Sequence, residues 1–296
     1  MSRIEKAMEK AAFLRRQGDD SAARPRGVDV PQPAAPVASP SPATQEFRAP
    51  VSPRYGTLAP DSPYLVSLKD PHCPAAEEFR KLKSVLVKMT TGESFRNSIL
   101  VTSSVPGEGK SLTAINLAVS LAQELDHTVL LVDADLRRPS VHRYFNVEQG
   151  AGLAEILAGE VEIAETIIPT GIGKLSIIRA GRSIDNPAEL FGSQRSRGVL
   201  AELKNRYPDR YIILDSSPVL SFAEARTLAG QVDGVLFVVM ERLASQTNVR
   251  EALDALKSSP LLGIVYNAAT VDETDGRYAY YRESGARRKD SPPVAP

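Results

Sequence analysis

Short apolar runs recur along the chain after residue 97, and segments with helical spacing of apolar residues separate them. The runs lie at 99–101, 129–132, 174–180, 211–214, 234–240 and 261–267. Continuous apolar runs of this length are typical of strands that are buried on both faces of a parallel sheet. The alternation therefore predicts an α/β fold with a mostly parallel sheet, helices on both faces and right-handed crossovers.

Amphipathic patterns predict the helices between these strands. The first spans 75–90 and turns Phe79, Leu82, Leu86 and Val87 inward. The others are predicted at 112–121, 152–158, 161–166, 187–206, 221–228 and 245–257.

The chain outside 64–270 has a different character. Residues 1–16 predict a short helix, for which a docking helix and a frayed tail are both open interpretations. Residues 17–63 are rich in Pro, Ala and Ser and predict a disordered linker, because such a composition buries too little apolar surface. The folded domain is expected at 64–270, followed by a flexible tail at 271–296 that contains tyrosines.

The strongest motif lies between the first apolar run and the helix at 112–121. Its sequence SSVPGEGKS places a glycine-containing turn before Lys110 and Ser111. Strand, glycine loop, Lys-Ser and helix together are typical of a P-loop, whose backbone N–H groups and helix N-terminus bind phosphates. Ser104 stands where the strict pattern has its first Gly. The alternative is a strand-turn-helix with a surface lysine.

Aspartates follow two of the other apolar runs. Asp133 and Asp135 come at the end of one, in VLLVDADLRRP, and Asp215 ends another, in YIILDSSP. Carboxyl ends of parallel strands face the ligand crevice, and adjacent carboxylates there need a cation such as Mg²⁺ between them. An apolar strand that ends in Asp beside a P-loop is typical of a Walker B magnesium site. The alternative is that turn-forming Asp residues cap the strand ends.

Composition narrows the functional classes. The 296 residues carry 36 basic and 36 acidic side chains, which argues against a bulk nucleic-acid binder. One cysteine, Cys73, and three histidines give neither a disulfide framework nor a zinc cluster, and Cys73 is interpreted as a small apolar residue in a connector. The chain has no run long enough to span a membrane, so a membrane role is expected to come through a partner.

Two further clusters remain. The tail carries Tyr278, Tyr280 and Tyr281, which are either accessible phosphate acceptors or part of a plain polar tail. Glu77, Arg80 and Lys83 lie three residues apart on the first predicted helix, where i,i+3 ion pairs on a solvated face would explain them.

In combination, these motifs resemble the bacterial tyrosine kinases, and more narrowly the soluble tyrosine autokinases of exopolysaccharide export. SSVPGEGKS resembles the family's Walker A motif, VLLVDADLRRPSVHRYF its Walker A′ motif and YIILDSSP its Walker B motif. EEFRKLK resembles its E-x-x-R-x-x-R oligomer motif, with Lys83 in the last place, and NPAEL at 186–190 is also typical. The tyrosines of the tail resemble a sparse version of the family's tyrosine cluster.

The resemblance implies an ATP- and Mg²⁺-dependent tyrosine autokinase of the P-loop NTPase type. It implies catalytic roles for Lys110, Asp133 and Asp135, with one of the two aspartates acting as the base for the incoming tyrosine hydroxyl. Magnesium ligands would be Ser111, Asp133 and Asp215. The implied nucleotide contacts are Val105, Pro106, Gly107, Glu108, Gly109, Lys110, Ser111 and Leu112, with Asn267 as an adenine contact or, alternatively, a turn residue.

The resemblance also implies partners. Copies of the chain would form a ring through Glu77, Arg80 and Lys83, and each tail would enter a neighbour's active site. A separate transmembrane adaptor would hold the cytoplasmic protein at the inner face of the plasma membrane, and nucleic acid is not expected as a partner. Two other functions remain open, a partition-type dimerising ATPase and a nucleotide-gated scaffold. The first expects a signature lysine where this chain has Val105.

Overall fold

The structure, a computed structural model, describes residues 58, 60, 62–92 and 94–270. The predicted helix at 1–16, nearly all of the predicted linker and the tail at 271–296 lie outside these residues. Among the described helices, none is long and apolar enough to cross a membrane.

Seven strands form one sheet in the described part of the chain, in the order β3-β4-β2-β5-β1-β6-β7. Every neighbouring pair is parallel except β3 with β4. The strands are β1 (Ser98–Ser103), β2 (Thr128–Asp133), β3 (Ile168–Pro169), β4 (Leu175–Ile178), β5 (Arg210–Asp215), β6 (Gly234–Met240) and β7 (Leu261–Asn267). The predicted α/β class with a mostly parallel sheet is confirmed.

Helices connect the parallel strands. They are α1 (Val66–Lys69), α2 (Pro74–Thr90), α3 (Lys110–Ala122), α4 (Val141–Tyr144), α5 (Leu153–Ala158), α6 (Ile163–Thr166), α7 (Pro187–Gly192), α8 (Gln194–Arg206), α9 (Ala223–Ala229) and α10 (Gln246–Ala255). One apolar cluster includes Leu100 of β1, and a second includes its neighbours Ile99 and Val101. Successive side chains of a strand point to opposite faces, so the sheet is covered on both sides.

The predicted helix at 187–206 is two helices. Ser193 has an extended backbone, with φ −69° and ψ 159°, which ends α7. Its hydroxyl accepts a hydrogen bond from the Ser196 N–H at 3.0 Å and so caps the start of α8. A serine inside a helical apolar pattern therefore marked a boundary that periodicity alone did not reveal.

Cys73 caps the start of α2, whereas its sequence context predicted a small apolar residue in a connector. Its Sγ accepts a hydrogen bond from the Ala76 N–H at 3.3 Å at the start of α2, and Pro74 follows as the first helical residue. Proline suits this position because it has no N–H to leave unpaired. The predicted inward face of α2 is observed, with Leu86 fully buried and Phe79 half-buried.

Candidate nucleotide site

Three adjacent strands bring the predicted motifs to one edge of the sheet. The P-loop, residues 104–111, follows β1, while Asp133 ends β2 and Asp215 ends β5. The backbone register places Asp133 directly beside Asp215 on these neighbouring strands. The site thus lies at the carboxyl ends of parallel strands, where ligands bind in open α/β sheets.

Two glycines shape the P-loop. Gly107 has φ 91° and Gly109 has φ 86°, a left-handed conformation that side chains with a Cβ rarely adopt. Gly109 also precedes the first turn of α3 directly, and a Cβ built there would lie 2.1 Å from the amide nitrogen of Asn267. This turn leaves the N-terminus of a 13-residue helix open toward the loop, which is the geometry that favours a bound anion.

The Glu108 carboxylate is bonded to the start of its own P-loop. Glu108 is completely buried, and its Oε2 accepts hydrogen bonds from the Ser104 hydroxyl at 2.6 Å and the Val105 N–H at 2.8 Å. The serine at the place of the first P-loop glycine thus has a definite partner. Because the Val105 N–H is engaged by Glu108, the loop amides after it are the ones left for phosphate.

Asn267 contacts the P-loop rather than open solvent. Its side-chain amide donates to the Glu108 carbonyl at 2.9 Å, and its Oδ1 accepts from the Ala268 N–H at 2.9 Å. The amide nitrogen therefore holds the loop to the end of β7, while the amide oxygen is bonded within its own segment. A contact with adenine stays a prediction.

Lys110 is surrounded by carboxylates. Its ammonium donates to Asp135 Oδ2 at 3.0 Å and lies 3.7 Å from Asp215 Oδ1. It also lies 3.2 Å from the Ser111 hydroxyl. Burial alone would lower the pKa of Lys110, but the attraction of Asp215, Asp135 and Asp133 outweighs it and raises the pKa above its ordinary value.

The three aspartates have different environments. Asp133 is bonded to backbone, since its Oδ2 accepts from the Ser140 and Val141 N–H groups, both at 2.9 Å. Burial, followed by repulsion from Asp215, raises the pKa of Asp133 to about 7. Burial likewise raises the pKa of Asp215, although the charge of Lys110 opposes this.

Asp215 fits a magnesium ligand best. It is fully buried, and among the described residues its side-chain oxygens have no hydrogen-bond partner, only the ion pair with Lys110 at 3.7 Å. Buried carboxylate oxygens without donors are costly, and a cation would satisfy them. The described residues hold no group of three or more acidic, His or Cys side chains arranged to bind a metal alone. Mg²⁺ does not need one, because it is usually held by one or two carboxylates together with substrate phosphates and water.

The structure brings most of the predicted site residues together. Lys110, Ser111, Asp133, Asp135 and Asp215 share one cluster beside the P-loop. Tyr278, Tyr280 and Tyr281 lie outside the described residues. The bracing role of the Glu108 side chain was missed, because the P-loop pattern leaves that position unspecified.

The predicted oligomer residues make contacts within the chain. Arg80 Nε donates to Glu77 Oε2 at 2.7 Å, which is the expected i,i+3 pair on α2. Lys83 lies 3.1 Å from Glu124 Oε1, beyond the end of α3. Because these contacts lie within one chain, they do not test the predicted interface between copies, which stays a prediction.

The raised pKa of Asp133 predicts a specific pH dependence of stability. Since the folded pKa of about 7 exceeds the ordinary 3.8, the folded protein binds a proton that the unfolded chain lacks between these values. The stability contributed by this proton is complete below pH about 4 and is lost as the pH rises through 7. The difference in free energy of unfolding between Asp133→Asn and wild type should therefore shift in favour of the variant as the pH rises from 5 to 8. It is measured by urea titration without nucleotide.

The comparison isolates the titration of Asp133. Weakening of the hydrogen bonds from Ser140 and Val141 changes the free energy of unfolding of the variant by an amount that does not depend on pH. The exposed Asp126→Asn variant serves as the control for removing a surface carboxylate. An Asp133→Asn difference that stays constant from pH 5 to pH 8 would contradict the assigned shift.

Comparisons with known proteins agree with this geometry. A family model described as an AAA domain matches residues 97–258, more than half of the chain. Tyrosine-protein kinase YwqD of Bacillus subtilis is 31% identical over 219 residues, which cover 73% of this chain and 90% of that protein.

Solved structures extend the likeness. The kinase domain of Escherichia coli tyrosine kinase ETK superposes with a TM-score of 0.67 at 29% identity, covering 73% of this chain and 84% of that one. The chimerical protein CapA2B2 gives a TM-score of 0.66 at 29% identity, covering 73% of this chain and 95% of that one. With its P-loop, its buried aspartates and these relatives, the chain belongs to the bacterial tyrosine-protein kinase family.

Proposed function

We propose that this protein is an autokinase that transfers the γ-phosphoryl group of ATP to its own Tyr278, Tyr280 and Tyr281. The observation that carries this proposal is the cluster around Lys110, where one buried ammonium faces three aspartates beside a phosphate-binding loop. Phosphoryl transfer depends mainly on positioning and on neutralising charge, and this cluster supplies both.

The roles follow from the contacts. The backbone N–H groups from Gly107 to Ser111 and the Lys110 ammonium bind the phosphates. Ser111 and Asp215 would hold Mg²⁺, which would neutralise the charge of the phosphates during transfer. The lack of hydrogen-bond partners for the Asp215 oxygens among the described residues supports this role.

Asp133 and Asp135 share the remaining work. One completes the surroundings of the metal, and the other accepts the proton of the tyrosine hydroxyl. A free phenol has a pKa near 10, so a carboxylate beside it assists the transfer. Asp133 accepts from the Ser140 and Val141 N–H groups, whereas Asp135 is bonded to Lys110 and to the Arg138 N–H at 3.1 Å.

The tail of one copy is phosphorylated by another copy in a ring. Glu77, Arg80 and Lys83 contribute to the contact between copies, and Lys83 makes a weaker contact than an arginine because it lacks the planar fork. Each phosphate adds roughly −1.5 to −2 charges to the tail, so phosphorylation loosens the ring. This cycle regulates polymerisation and export of an exopolysaccharide or capsule, together with a separate transmembrane adaptor at the inner face of the membrane.

The test combines two variants of the purified protein. One carries Tyr278→Phe, Tyr280→Phe and Tyr281→Phe and keeps its active site. The other carries Lys110→Met and keeps its tail. Each is incubated with ATP and Mg²⁺ alone and in a mixture, and tryptic peptides are mapped for phosphotyrosine by mass spectrometry.

Transfer between copies predicts phosphate on the tail of Lys110→Met only in the mixture. Phosphate on that tail in the absence of the other variant would show contamination by another kinase. If neither the wild type nor the mixture acquires phosphotyrosine, the experiment is repeated with the cytoplasmic segment of the adaptor. A second blank would refute the autokinase and favour a nucleotide-gated scaffold.

A further inference from the structure

An ion pair between the partly exposed Arg137 and the buried Glu224 links the segments that follow β2 and β5. Arg137 lies two residues after Asp135, in the loop that follows β2, and Glu224 lies in the first turn of α9, after the loop that follows β5. The Arg137 Nε donates to Glu224 Oε1 at 2.6 Å. Since β2 and β5 are neighbours in the sheet, this pair joins their loops above the carboxyl ends of the strands.

Glu224 is a carboxylate in the first turn of α9 that is buried rather than exposed to solvent. It is 2% exposed, and its Oε2 has no hydrogen-bond partner among the described residues. A buried carboxylate of this sort is tolerated only when a cation compensates it. Arg137 is the cation with which Glu224 forms an ion pair in the described part of the chain, so the position of Arg137 is constrained by the charge of Glu224.

Phe222 adds a second contact to the same guanidinium. The Arg137 guanidinium carbon lies 4.7 Å from the centre of the Phe222 ring, within the range of a cation–π interaction. An arginine held by a carboxylate on one side and a ring on the other is directed toward α9. Its charge is therefore paired with that of Glu224.

The backbone around Arg137 shapes the Lys110 cluster. Asp135 Oδ1 accepts from the Arg138 N–H at 3.1 Å, while its Oδ2 accepts from Lys110 at 3.0 Å. The turn from Asp135 to Arg138 thus orients the carboxylate that holds the lysine. Anchoring the side chain in the middle of this turn anchors the turn itself.

We propose that Arg137 and Glu224 are positioning residues. Their ion pair holds the turn from Asp135 to Arg138 against α9 and thereby keeps the Asp135 carboxylate and the Lys110 ammonium in place beside Asp215. The kinetic consequence rests on the proposed kinase function, whereas the structural consequence does not. Arg137 acts through Asp135 and does not contact the phosphates. The alternative is that Arg137 leaves Glu224 when nucleotide binds and contacts a phosphate directly.

The test compares Arg137→Gln, Glu224→Gln and the double variant. Arg182→Gln and Glu160→Gln are the matched controls, because Arg182 and Glu160 form an exposed ion pair at 2.5 Å elsewhere on the surface. Amide hydrogen exchange of the nucleotide-free protein is measured first and requires no kinase activity. We expect exchange of the Asp135 and Arg138 amides to become faster by about tenfold or more in the two single variants of the Arg137–Glu224 pair and in the double variant, and to stay unchanged in both controls.

Kinetics then separate the two roles of Arg137. A positioning role predicts that Arg137→Gln and Glu224→Gln each lower kcat by about tenfold to a hundredfold, with the KM for ATP changed less than threefold. The double variant should be no worse than the single ones, since both changes break one contact. Assays run well below the melting temperature of every variant, so that a loss of folded protein is not counted as a loss of kcat.

Two results would overturn the proposal. One is unchanged exchange of the Asp135 and Arg138 amides in both single variants. The other is a raised KM for ATP in Arg137→Gln together with wild-type kinetics in Glu224→Gln, which would identify Arg137 as a phosphate contact. If wild type itself transfers no phosphate, the proposed kinase function fails, and the exchange result still decides the positioning role.

Discussion

Asp215→Asn is expected to abolish phosphoryl transfer and, in the same protein, to raise the stability of the nucleotide-free fold. Loss of the carboxylate that we assign to Mg²⁺ should lower kcat by about a thousandfold or more, because the ion neutralises charge on the transferred phosphate. Burial raises the pKa of Asp215, so its charged form is unfavourable in the folded state. At alkaline pH, where the carboxylate is charged, an uncharged Asn should increase the free energy of unfolding.

The sign of this stability change depends on pH. A carboxyl group whose folded pKa is raised stabilises the fold below its ordinary pKa and loses that contribution as the pH rises through the folded value. The advantage of Asp215→Asn should therefore grow as the pH rises above the ordinary value of 3.8, in urea titrations followed by circular dichroism. Phosphotyrosine formation is measured in parallel by mass spectrometry.

Asp233→Asn provides a control of opposite sign. Asp233 precedes β6, and although burial tends to raise its pKa, hydrogen bonds from Lys204 and Ser98 lower it overall. Its charge stabilises the fold above its ordinary pKa, so Asn should destabilise at neutral pH and leave phosphotransfer intact. A variant of Asp215 that is less stable than wild type at pH 8 would contradict the view that the ion pair with Lys110 does not fully offset the burial of this carboxylate.

Much of the fold could be predicted from the hydrophobic pattern, for a physical reason. Central parallel strands such as β1, β2 and β5 are buried on both faces, and continuous apolar runs record that burial directly. The motifs could then be placed at the carboxyl ends of these strands, because parallel strands in one sheet share that edge. The proximity of the P-loop to Asp133, Asp135 and Asp215 followed from this geometry, whereas the ion pairs of Lys110 with Asp135 and Asp215 needed coordinates.

Other features depend on single contacts that periodicity does not record. The two-residue strand β3 exists through its antiparallel pairing with β4, and Ser193 divides a predicted helix through one capping bond. Glu108 and Glu224 look like ordinary surface glutamates in the sequence, yet both are buried. Glu108 bonds to Ser104 and Val105 within its own loop, and Glu224 pairs with Arg137, which is distant in the chain. Both roles required coordinates, since neither helical nor strand spacing predicts these contacts.

Lys110→Met is expected to abolish phosphotransfer as completely as Asp215→Asn, with the opposite effect on stability. The lysine ammonium is the positive charge that Asp135 and Asp215 approach within 4 Å. Methionine keeps most of the side-chain volume and removes this charge. The remaining buried carboxylates then repel each other without compensation, which should lower the free energy of unfolding by about 2–4 kcal/mol at pH 8.

Lowering the pH should restore part of this stability, because protonation of the aspartates removes the repulsion that the lysine had offset. Lys204→Met is the matched control, since Lys204 pairs with Asp233 at 2.5 Å at a partly exposed position outside the site. It should change stability by about 1 kcal/mol or less and leave phosphotransfer intact. Lys110→Met and Asp215→Asn should thus both be inactive and should shift the free energy of unfolding in opposite directions. That result would show that the charges of the site, rather than its packing, set the balance between activity and stability. Equal shifts for Lys110→Met and Asp215→Asn would refute that balance, because removal of a cation and removal of an anion from the same cluster cannot relieve the same repulsion.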